Sequence, residues 1–181
     1  MKNSVKTILV AAMTIDGKIA RSKKEITDWT SQEDKRYFKQ ITVKAGVVIM
    51  GRTTFNTLKN PLPHRLNIVI THDPGKYIKR EAKNLLEFTD KPPKKIIDNL
   101  ANRGYSTIVV SGGSTVYSLF LKAGLVDEVH LTVSPRIFGR GIPLFQNSGK
   151  YVKCELVKVD RLGDGEVLVQ YKIKKNSVNF Q

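Results

Sequence analysis

Cysteine is nearly absent from this chain. Cys154 is the single example among 181 residues, so neither an intrachain disulfide nor a zinc site built from several cysteines can form. No apolar run approaches the roughly 18–20 residues that a membrane span requires, and the first apolar stretch ends at Asp16 without a small-residue cleavage site. With 40% hydrophobic and 26% charged residues, the sequence predicts one globular domain over residues 1–181, in the reducing cytoplasm and without a metal or a membrane partner.

Acidic residues are scarce relative to basic ones. The 16 Asp and Glu residues face 31 Lys and Arg residues, and the resulting formal net charge of +15 indicates an anionic partner. The basic residues are spread along the chain, and the pairs Lys79-Arg80 and Lys94-Lys95 have few aromatic neighbours. We therefore expect a small anionic molecule and no nucleic acid. A basic nucleic-acid-binding module stays open as the alternative from another class of function.

Apolar runs rich in Val and Ile alternate with amphipathic stretches. The apolar runs predict strands at Ile8–Met13, Val47–Met50, Ile68–Ile70, Thr107–Val110 and Val129–Val133. The amphipathic stretches predict helices at Gln32–Val43, Thr54–Leu58, Lys94–Asn102 and Thr115–Ala123. This alternation is typical of an α/β domain with a mixed, mainly parallel sheet.

Two segments of alternating hydrophobicity near the end predict an antiparallel hairpin. They cover residues 152–156 and 169–173 and flank the turn Leu162–Gly165. The first arm loses its alternation at Val157, so we expect a β-bulge there. Lys174–Gln181 is expected to be a loose tail.

One local pattern occurs twice: a buried strand runs into glycine and then into a helix start. The first example is Gly51-Arg52-Thr53-Thr54, and the second is Gly112-Gly113-Ser114. Each leaves unpaired backbone N–H groups at the positive end of a helix, and glycine lets a phosphate approach closely. One such turn is an ordinary connection in an α/β fold, but two in one small sheet favour a dinucleotide cofactor. Neither matches GxGxxG or the P-loop, which argues against a Rossmann dehydrogenase and an NTPase.

From Val10 to Phe145 the chain resembles dihydrofolate reductase. The resemblance is carried, in order, by Val10-Ala11-Ala12, Ile15-Asp16, Trp29 five residues before Asp34, Ile49-Met50-Gly51-Arg52, Pro61-Leu62-Pro63 with Arg65, Gly112-Gly113 with Val116-Tyr117, and Leu131-Thr132. A sister family of the same fold, the reductase domain of riboflavin biosynthesis, is resembled at Thr14–Ala20, Ala123–Glu128, Ser134-Pro135 and Phe138-Gly139. Both families use NADPH, so either resemblance implies this cofactor, whereas their substrates differ.

The resemblance implies about eight strands, four helices and NADPH-dependent reduction of 7,8-dihydrofolate to tetrahydrofolate, a step of one-carbon metabolism. The alternative is reduction of the ribose in the phosphoribosylaminopyrimidine intermediate of riboflavin biosynthesis. The implied catalytic residues are Asp34, Thr132 and Trp29, and the implied substrate-binding residues are Ala12, Phe38, Leu58, Leu62 and Arg65. The implied cofactor-binding residues are Ala12, Ile19, Gly51, Arg52, Thr53, Thr54, Thr71, His72, Gly112, Gly113, Ser114, Thr115, Val116 and Tyr117. The resemblance also implies a cis peptide between Gly112 and Gly113.

The surroundings of Asp34 allow two interpretations. A capping box beginning at Thr30 or Ser31 fits the sequence, so an acidic residue in this first helical turn needs no catalytic explanation. However, Asp34 shares the helical spacing of the apolar residues Tyr37 and Ile41. A carboxylate on that apolar stripe is costly unless something pairs with it, and the resemblance names the pterin ring as its partner.

Arg65 is the main indication of folate rather than the pyrimidine. It follows a stiff Pro-Leu-Pro segment, and the resemblance makes it the fork that pairs with the α-carboxylate of the folate glutamate. Three residues depart from the dihydrofolate reductase pattern. Lys35 and Ser111 replace apolar side chains and loosen the expected pterin pocket, and Arg140 stands where an acidic residue often steadies the active-site loop.

Overall fold

The computed structural model describes residues 5–23, 25–58, 60–146, 150–174 and 179–180. Its strands are β1 (Lys6–Thr14), β2 (Lys18–Ala20), β3 (Val47–Gly51), β4 (Leu66–Ile70), β5 (Leu86–Thr89), β6 (Thr107–Val110), β7 (Glu128–Ser134), β8 (Ile142–Pro143), β9 (Lys150–Tyr151), β10 (Cys154–Arg161), β11 (Val167–Ile173) and β12 (Asn179–Phe180). Its α-helices are α1 (Gln32–Ala45), α2 (Arg52–Thr57), α3 (Pro93–Asn102) and α4 (Ser114–Lys122). Two 3-10 segments cover Pro74–Arg80 and Gly163–Gly165.

Parallel pairing builds most of the main sheet, whose strand order is β10-β11-β7-β1-β6-β3-β4-β5. β1 pairs in parallel with β6 and β7, β3 with β4 and β6, and β4 with β5. β11 runs antiparallel to both β7 and β10. The predicted mixed, mainly parallel sheet of eight strands with a C-terminal hairpin is therefore confirmed. Sequence patterns missed β2, β5, β8, β9 and β12, four of which have only two or three residues and are too short to establish a period.

Helix α1 has clear chemical boundaries. Ser31 is its N-cap, because the Ser31 hydroxyl accepts a hydrogen bond of 3.1 Å from the Asp34 backbone N–H. The structure thus chooses the second of the two capping registers. At the other end Gly46 adopts a φ of 71°, and its N–H bonds to the carbonyls of Thr42 and Val43.

Apolar side chains cover both faces of the sheet. On one face Val10, Val48 and Phe55 pack with side chains of α1, and on the other Leu9 and Phe120 belong to the cluster that contains the buried side chains of α3 and α4. Strands β1, β3 and β6 lie between these layers and are buried on both faces, as their continuous Val and Ile runs indicate.

The C-terminal hairpin contains the predicted bulge. Leu156 pairs with Tyr171 and Lys158 with Gln170, which leaves Val157 as the extra residue. Of the expected loose tail, the structure instead pairs Asn179–Phe180 with Lys150–Tyr151, while residues 175–178 and 181 lie outside the described part. Among the described residues no helix is long and apolar enough to cross a membrane, and no group of three or more His, Cys, Asp or Glu side chains is placed to hold a metal ion.

Phe120 tests the contribution of the core face that α4 covers. Phe120 is fully buried, so Phe120→Ala should lower the free energy of unfolding by about 3–5 kcal/mol in urea titrations followed by circular dichroism. Leu119→Ala, one residue away on the same helix and 39% exposed, is the matched control and should cost about 0.5 kcal/mol or less. Equal losses in the two variants would contradict the assignment of the core.

Candidate active site

The two strand-glycine-helix turns lie side by side. β3 and β6 are parallel neighbours, so both turns leave the sheet at the same edge. The Gly51 N–H donates to the Gly112 carbonyl at 2.7 Å, and the Ser111 N–H donates to the Ile49 carbonyl at 2.9 Å. The Gly112-Gly113 peptide is cis, as the resemblance implied.

Glycine is required in these turns by close contacts. A Cβ at Gly51 would lie 3.1 Å from a Val116 methyl group, and one at Gly113 would lie 3.2 Å from the Thr54 hydroxyl. Gly112 has a φ of +114°, and a Cβ there would lie 3.0 Å from the Tyr117 hydroxyl. These contacts join the two turns into one surface.

The start of α4 has hydrogen-bonding capacity that the protein does not use. Gly113 caps the helix without a side-chain hydrogen bond, and the buried Ser114 hydroxyl has no partner among the described residues. Unpaired donors at the positive end of a nine-residue helix fit a phosphate. The exposed side chains of Arg52 and Thr53 stand at the adjoining turn, and the Thr115 hydroxyl lies 3.4 Å from the Gln146 side chain. This cradle fits the pyrophosphate of NADPH.

Of the other predicted cofactor residues, Thr71 and His72 directly follow β4 and Ile19 lies in β2. Ile70 of β4 pairs with Gly51, which brings the following residues, Thr71 and His72, to the same edge. Thr71 is buried and donates from its backbone to the Thr89 carbonyl at 2.9 Å, whereas His72 is exposed. Ile19, in β2, packs against the core at its margin.

Asp34 lies half-buried and without a partner. No described residue donates a hydrogen bond to its carboxylate, although its backbone N–H is bonded to Ser31. The Tyr117 hydroxyl donates to the Val10 carbonyl at 2.7 Å; burial raises the pKa of Tyr117, and the charge of Asp34 raises it further. The structure therefore brings Asp34 within electrostatic reach of Tyr117.

Thr132 and Ala12 occupy neighbouring strands at the level of this carboxylate. They are paired across β7 and β1, and Thr132 is buried on the same face as His130. That face also meets α1, because the Tyr37 hydroxyl lies 2.6 Å from His130 Nδ1. Asp34 is one helical turn before Tyr37, and Thr132 is two strand residues after His130, so the acid and the hydroxyl share one side of the sheet.

Trp29 is buried next to a cluster of loop residues beside the candidate site. Its ring is buried, its Nε1–H has no partner among the described residues, and its edge meets Phe138 with ring centroids 5.3 Å apart. The Arg21 guanidinium lies 5.3 Å from the centroid of the same Phe138 ring. Phe138 therefore joins the segment before α1 to the loop after β7, which no local pattern in the sequence indicates.

Asp16, in the turn between β1 and β2, is hydrogen-bonded to the loop after β7. Its carboxylate accepts hydrogen bonds from the Thr14 hydroxyl at 2.5 Å and from the backbone N–H groups of Phe138 at 3.2 Å and Gly139 at 2.9 Å. The Thr14 bond is the main reason that the pKa of Asp16 is lowered, and the two backbone bonds add to it. Arg140, in the loop after β7, stands where the dihydrofolate reductase pattern often has an acidic residue. In this protein the acidic residue of the contact is Asp16, in the turn between β1 and β2.

Arg65 is buried rather than solvated. Its Nε–H donates to the Pro63 carbonyl at 2.9 Å and its Nη1 to the Thr42 hydroxyl, and no carboxylate of the described residues pairs with it. Burial lowers the pKa of Arg65. The predicted substrate-binding residues Phe38, Leu58 and Leu62 pack on the apolar cluster that contains Val10, Val48 and Phe55.

Glu166 is a buried carboxylate that sequence patterns did not indicate. It is 1% exposed, and its Oε2 accepts from the Ser31 hydroxyl at 2.6 Å and the Ser31 N–H at 3.1 Å. The two residues are 135 positions apart, so no local spacing connects them.

Comparison with protein families identifies the chain. The model of the RibD C-terminal domain matches residues 5–168, which is nearly the whole described fold. The chain belongs to the RibD C-terminal domain family.

Individual relatives come from two branches of the dihydrofolate reductase-like superfamily. The "Putative dihydrofolate reductase" of Caenorhabditis elegans is 30% identical, over 96% of this chain and 92% of that protein. The diaminohydroxyphosphoribosylaminopyrimidine deaminase/5-amino-6-(5-phosphoribosylamino)uracil reductase of Thermotoga maritima has the same fold, with a TM-score of 0.76 at 21% identity over 96% of this chain. Acinetobacter baumannii RibD superposes with a TM-score of 0.77 at 17% identity over 95% of this chain. The chain spans 58% and 59% of the lengths of these two structures.

The family and the phosphate cradle agree on the type of chemistry. The chain is an NADPH-dependent oxidoreductase. Reduction of dihydrofolate, in contrast, does not follow from membership of this family.

Arg52 tests the cradle. Arg52→Ala removes a charge-assisted hydrogen bond to phosphate, so the Kd for NADPH measured by titration calorimetry should rise by roughly 10–100-fold, the equivalent of about 1.5–3 kcal/mol. Lys44→Ala, which removes an exposed charge from the last turn of α1, is the control and should leave the Kd unchanged. An unchanged Kd in Arg52→Ala would remove Arg52 from the cofactor site.

Asp16 tests the junction of the two loops. Asp16→Asn replaces the shared carboxylate by an amide that accepts less strongly, so the Phe138 and Gly139 amides should exchange with deuterium faster than in the wild type. Asp28→Asn removes an exposed charge from the segment before α1 and serves as the control. Equal exchange in the wild type and Asp16→Asn would show that the carboxylate does not hold the loop.

Proposed function

We propose that this protein reduces a phosphoribosylaminopyrimidine of the 5-amino-6-(5-phosphoribosylamino)uracil class with NADPH. The observation that carries the proposal is the match of residues 5–168 to the RibD C-terminal domain, since it covers every element that forms the candidate site. The Thermotoga maritima relative of the same fold bears this reductase activity in its name.

Charge complementarity supports an anionic substrate. Arg65 keeps a buried guanidinium that no described carboxylate neutralises, and a phosphate or a carboxylate of a ligand is the natural partner of such a fork. We assign Arg65 to the phosphate of the substrate. The Asp34 carboxylate receives no hydrogen bond from the residues that the structure describes and is suited to receive the N–H groups of the pyrimidine.

The reaction adds a hydride and a proton to the sugar. When bound, NADPH supplies a hydride to carbon C1′, the bond between C1′ and the ring oxygen breaks, and that oxygen takes a proton. Asp34 is our candidate for holding the proton near the substrate, with the Thr132 hydroxyl on the same side of the sheet. Trp29, whose Nε1–H has no partner among the described residues, is our candidate for holding a water near this side of the site.

Dihydrofolate is the second candidate substrate. The resemblance to dihydrofolate reductase gives Asp34 the role of binding the pterin and Arg65 that of binding the glutamate carboxylate, and the Caenorhabditis elegans relative bears the dihydrofolate reductase name. Both substrates are anionic, so the charge of the site alone does not choose between them. Phe38, Leu58 and Leu62 would then line the path of the aminobenzoyl group.

Direct comparison of the two substrates tests the proposal. NADPH oxidation, followed by its absorbance, should proceed with the phosphorylated pyrimidine and be much slower with 7,8-dihydrofolate. Asp34→Asn should lower kcat by about 100-fold or more while the Kd for NADPH stays unchanged. Turnover of dihydrofolate alone would replace the proposal by the folate activity.

Arg65→Lys tests whether Arg65 binds the phosphate of the substrate. Lysine keeps the charge and loses the fork, so KM for the phosphorylated pyrimidine should rise with little change in kcat. The dephosphorylated nucleoside is the matched control, because its KM should not respond to the substitution. An equal rise for both compounds would mean that Arg65 does not bind the phosphate.

A further inference from the structure

Two hydrogen-bonded pairs flank Asp34, one helical turn before it and one after it. Ser31 precedes Asp34 by three residues and is bonded to Glu166, and Tyr37 follows it by three residues and is bonded to His130. Residues three apart lie on the same side of a helix. Both partners come from the β7–β11 side of the sheet, Glu166 just before β11 and His130 within β7.

The first pair fixes the start of α1. Both the backbone N–H and the hydroxyl of Ser31 donate to Glu166 Oε2, and the same hydroxyl accepts from the Asp34 N–H. A continuous chain of hydrogen bonds therefore connects Glu166 to the backbone of Asp34. Glu166 is buried and has no cationic partner among the described residues, so Ser31 and the positive end of the 14-residue helix α1 are what stabilise its charge.

The second pair fixes the next turn of the helix. The Tyr37 hydroxyl lies 2.6 Å from His130 Nδ1, and His130 Nε2 lies 3.2 Å from Glu128, which is itself paired with Lys6 at 2.6 Å. Burial lowers the pKa of His130, with Glu128 opposing the shift, and burial raises the pKa of Tyr37 to about 12. A neutral imidazole and a protonated phenol follow, so Tyr37 donates to Nδ1 and Nε2–H donates to Glu128.

We propose that Glu166 and His130 are positioning residues for Asp34, acting through Ser31 and Tyr37. The proposal rests on the role of Asp34 given under the proposed function. Asp34 receives no hydrogen bond on its carboxylate from the described residues, so its placement depends on where α1 lies on the sheet. Glu166 holds the helical turn before Asp34 and His130 holds the turn after it. Neither residue needs to touch the substrate.

Kinetics of single-atom variants test the positioning role. Tyr37→Phe removes only the hydroxyl and Ser31→Ala only the N-cap hydroxyl, and each should lower kcat by about 10-fold or more while the Kd for NADPH stays within twofold. Glu166→Ala should lower kcat similarly, and Glu166→Gln, whose amide oxygen still accepts from Ser31, should restore most of it. Tyr105→Phe, whose ring lies beside the C-cap Gly46 at the end of α1 away from Asp34, is the control and should leave kcat unchanged. Unchanged kcat in Tyr37→Phe and in both Glu166 variants would overturn the proposal.

A spectroscopic measurement keeps this test independent of the substrate. The carboxyl ¹³C resonance of Asp34, assigned by its loss in Asp34→Asn, should shift in Tyr37→Phe and in Ser31→Ala relative to the wild type. If Glu166→Ala does not fold, these two variants decide the outcome. Altered Asp34 resonances in a protein that does not turn over the pyrimidine would support the positioning role while refuting the proposed substrate. An unmoved resonance in both variants would refute the positioning role alone.

Discussion

The parallel pairing of β3 with β6 is the constraint on which the candidate site depends. It places the ends of two buried strands together and lets the Gly51 N–H bond directly to the Gly112 carbonyl. Glycine avoids crowding at these contacts, since a Cβ at Gly51 would lie 3.1 Å from Val116 and one at Gly113 would lie 3.2 Å from Thr54, so those side chains would have to shift. The exposed N–H groups at the start of α4 then face one space, and a phosphate is the ligand that satisfies them.

The candidate site holds two charged side chains that no described residue neutralises. Most charged side chains at hydrogen-bonding distance from a partner lie on the surface, where pairing contributes little. Asp34 and Arg65 are different, because one carboxylate and one buried guanidinium are held by the fold without an opposite charge from the described residues. Groups of this kind are costly to bury and are suited to a ligand that carries both N–H donors and an anion. A phosphorylated pyrimidine has both.

Local sequence patterns predicted the parts of the structure that local forces determine. The Val-rich strands, the two glycine turns, the bulge at Val157 and the apolar stripe of α1 all follow from spacing and residue type. Three contacts do not follow from local patterns, because each joins segments more than 100 residues apart. They are the hydrogen bond between Glu166 and Ser31, the ring contact between Trp29 and Phe138, and the hydrogen bond between Asp16 and Gly139. The register of the sheet, which no short window contains, determines these contacts.

The substrate was the hardest property to infer. Asp34 and Arg65 match residues that the resemblance to dihydrofolate reductase assigns to folate binding, so the sequence favours dihydrofolate as the substrate. The family match covers the same residues and favours the riboflavin-type reductase. The two substrates present similar charge to the site and the two families share one fold, so the match of residues 5–168 to one family model distinguishes the substrates better than individual residues do.

Transfer of a labelled hydride tests the central claim most directly. The protein would be given NADPH deuterated at the transferable position together with the phosphoribosylaminopyrimidine, and the product analysed by mass spectrometry and NMR. The account predicts deuterium on the former C1′ of the ribose, in a product whose sugar has become an open chain. Recovery of unlabelled pyrimidine, with deuterium appearing instead in tetrahydrofolate when dihydrofolate is supplied, would contradict it.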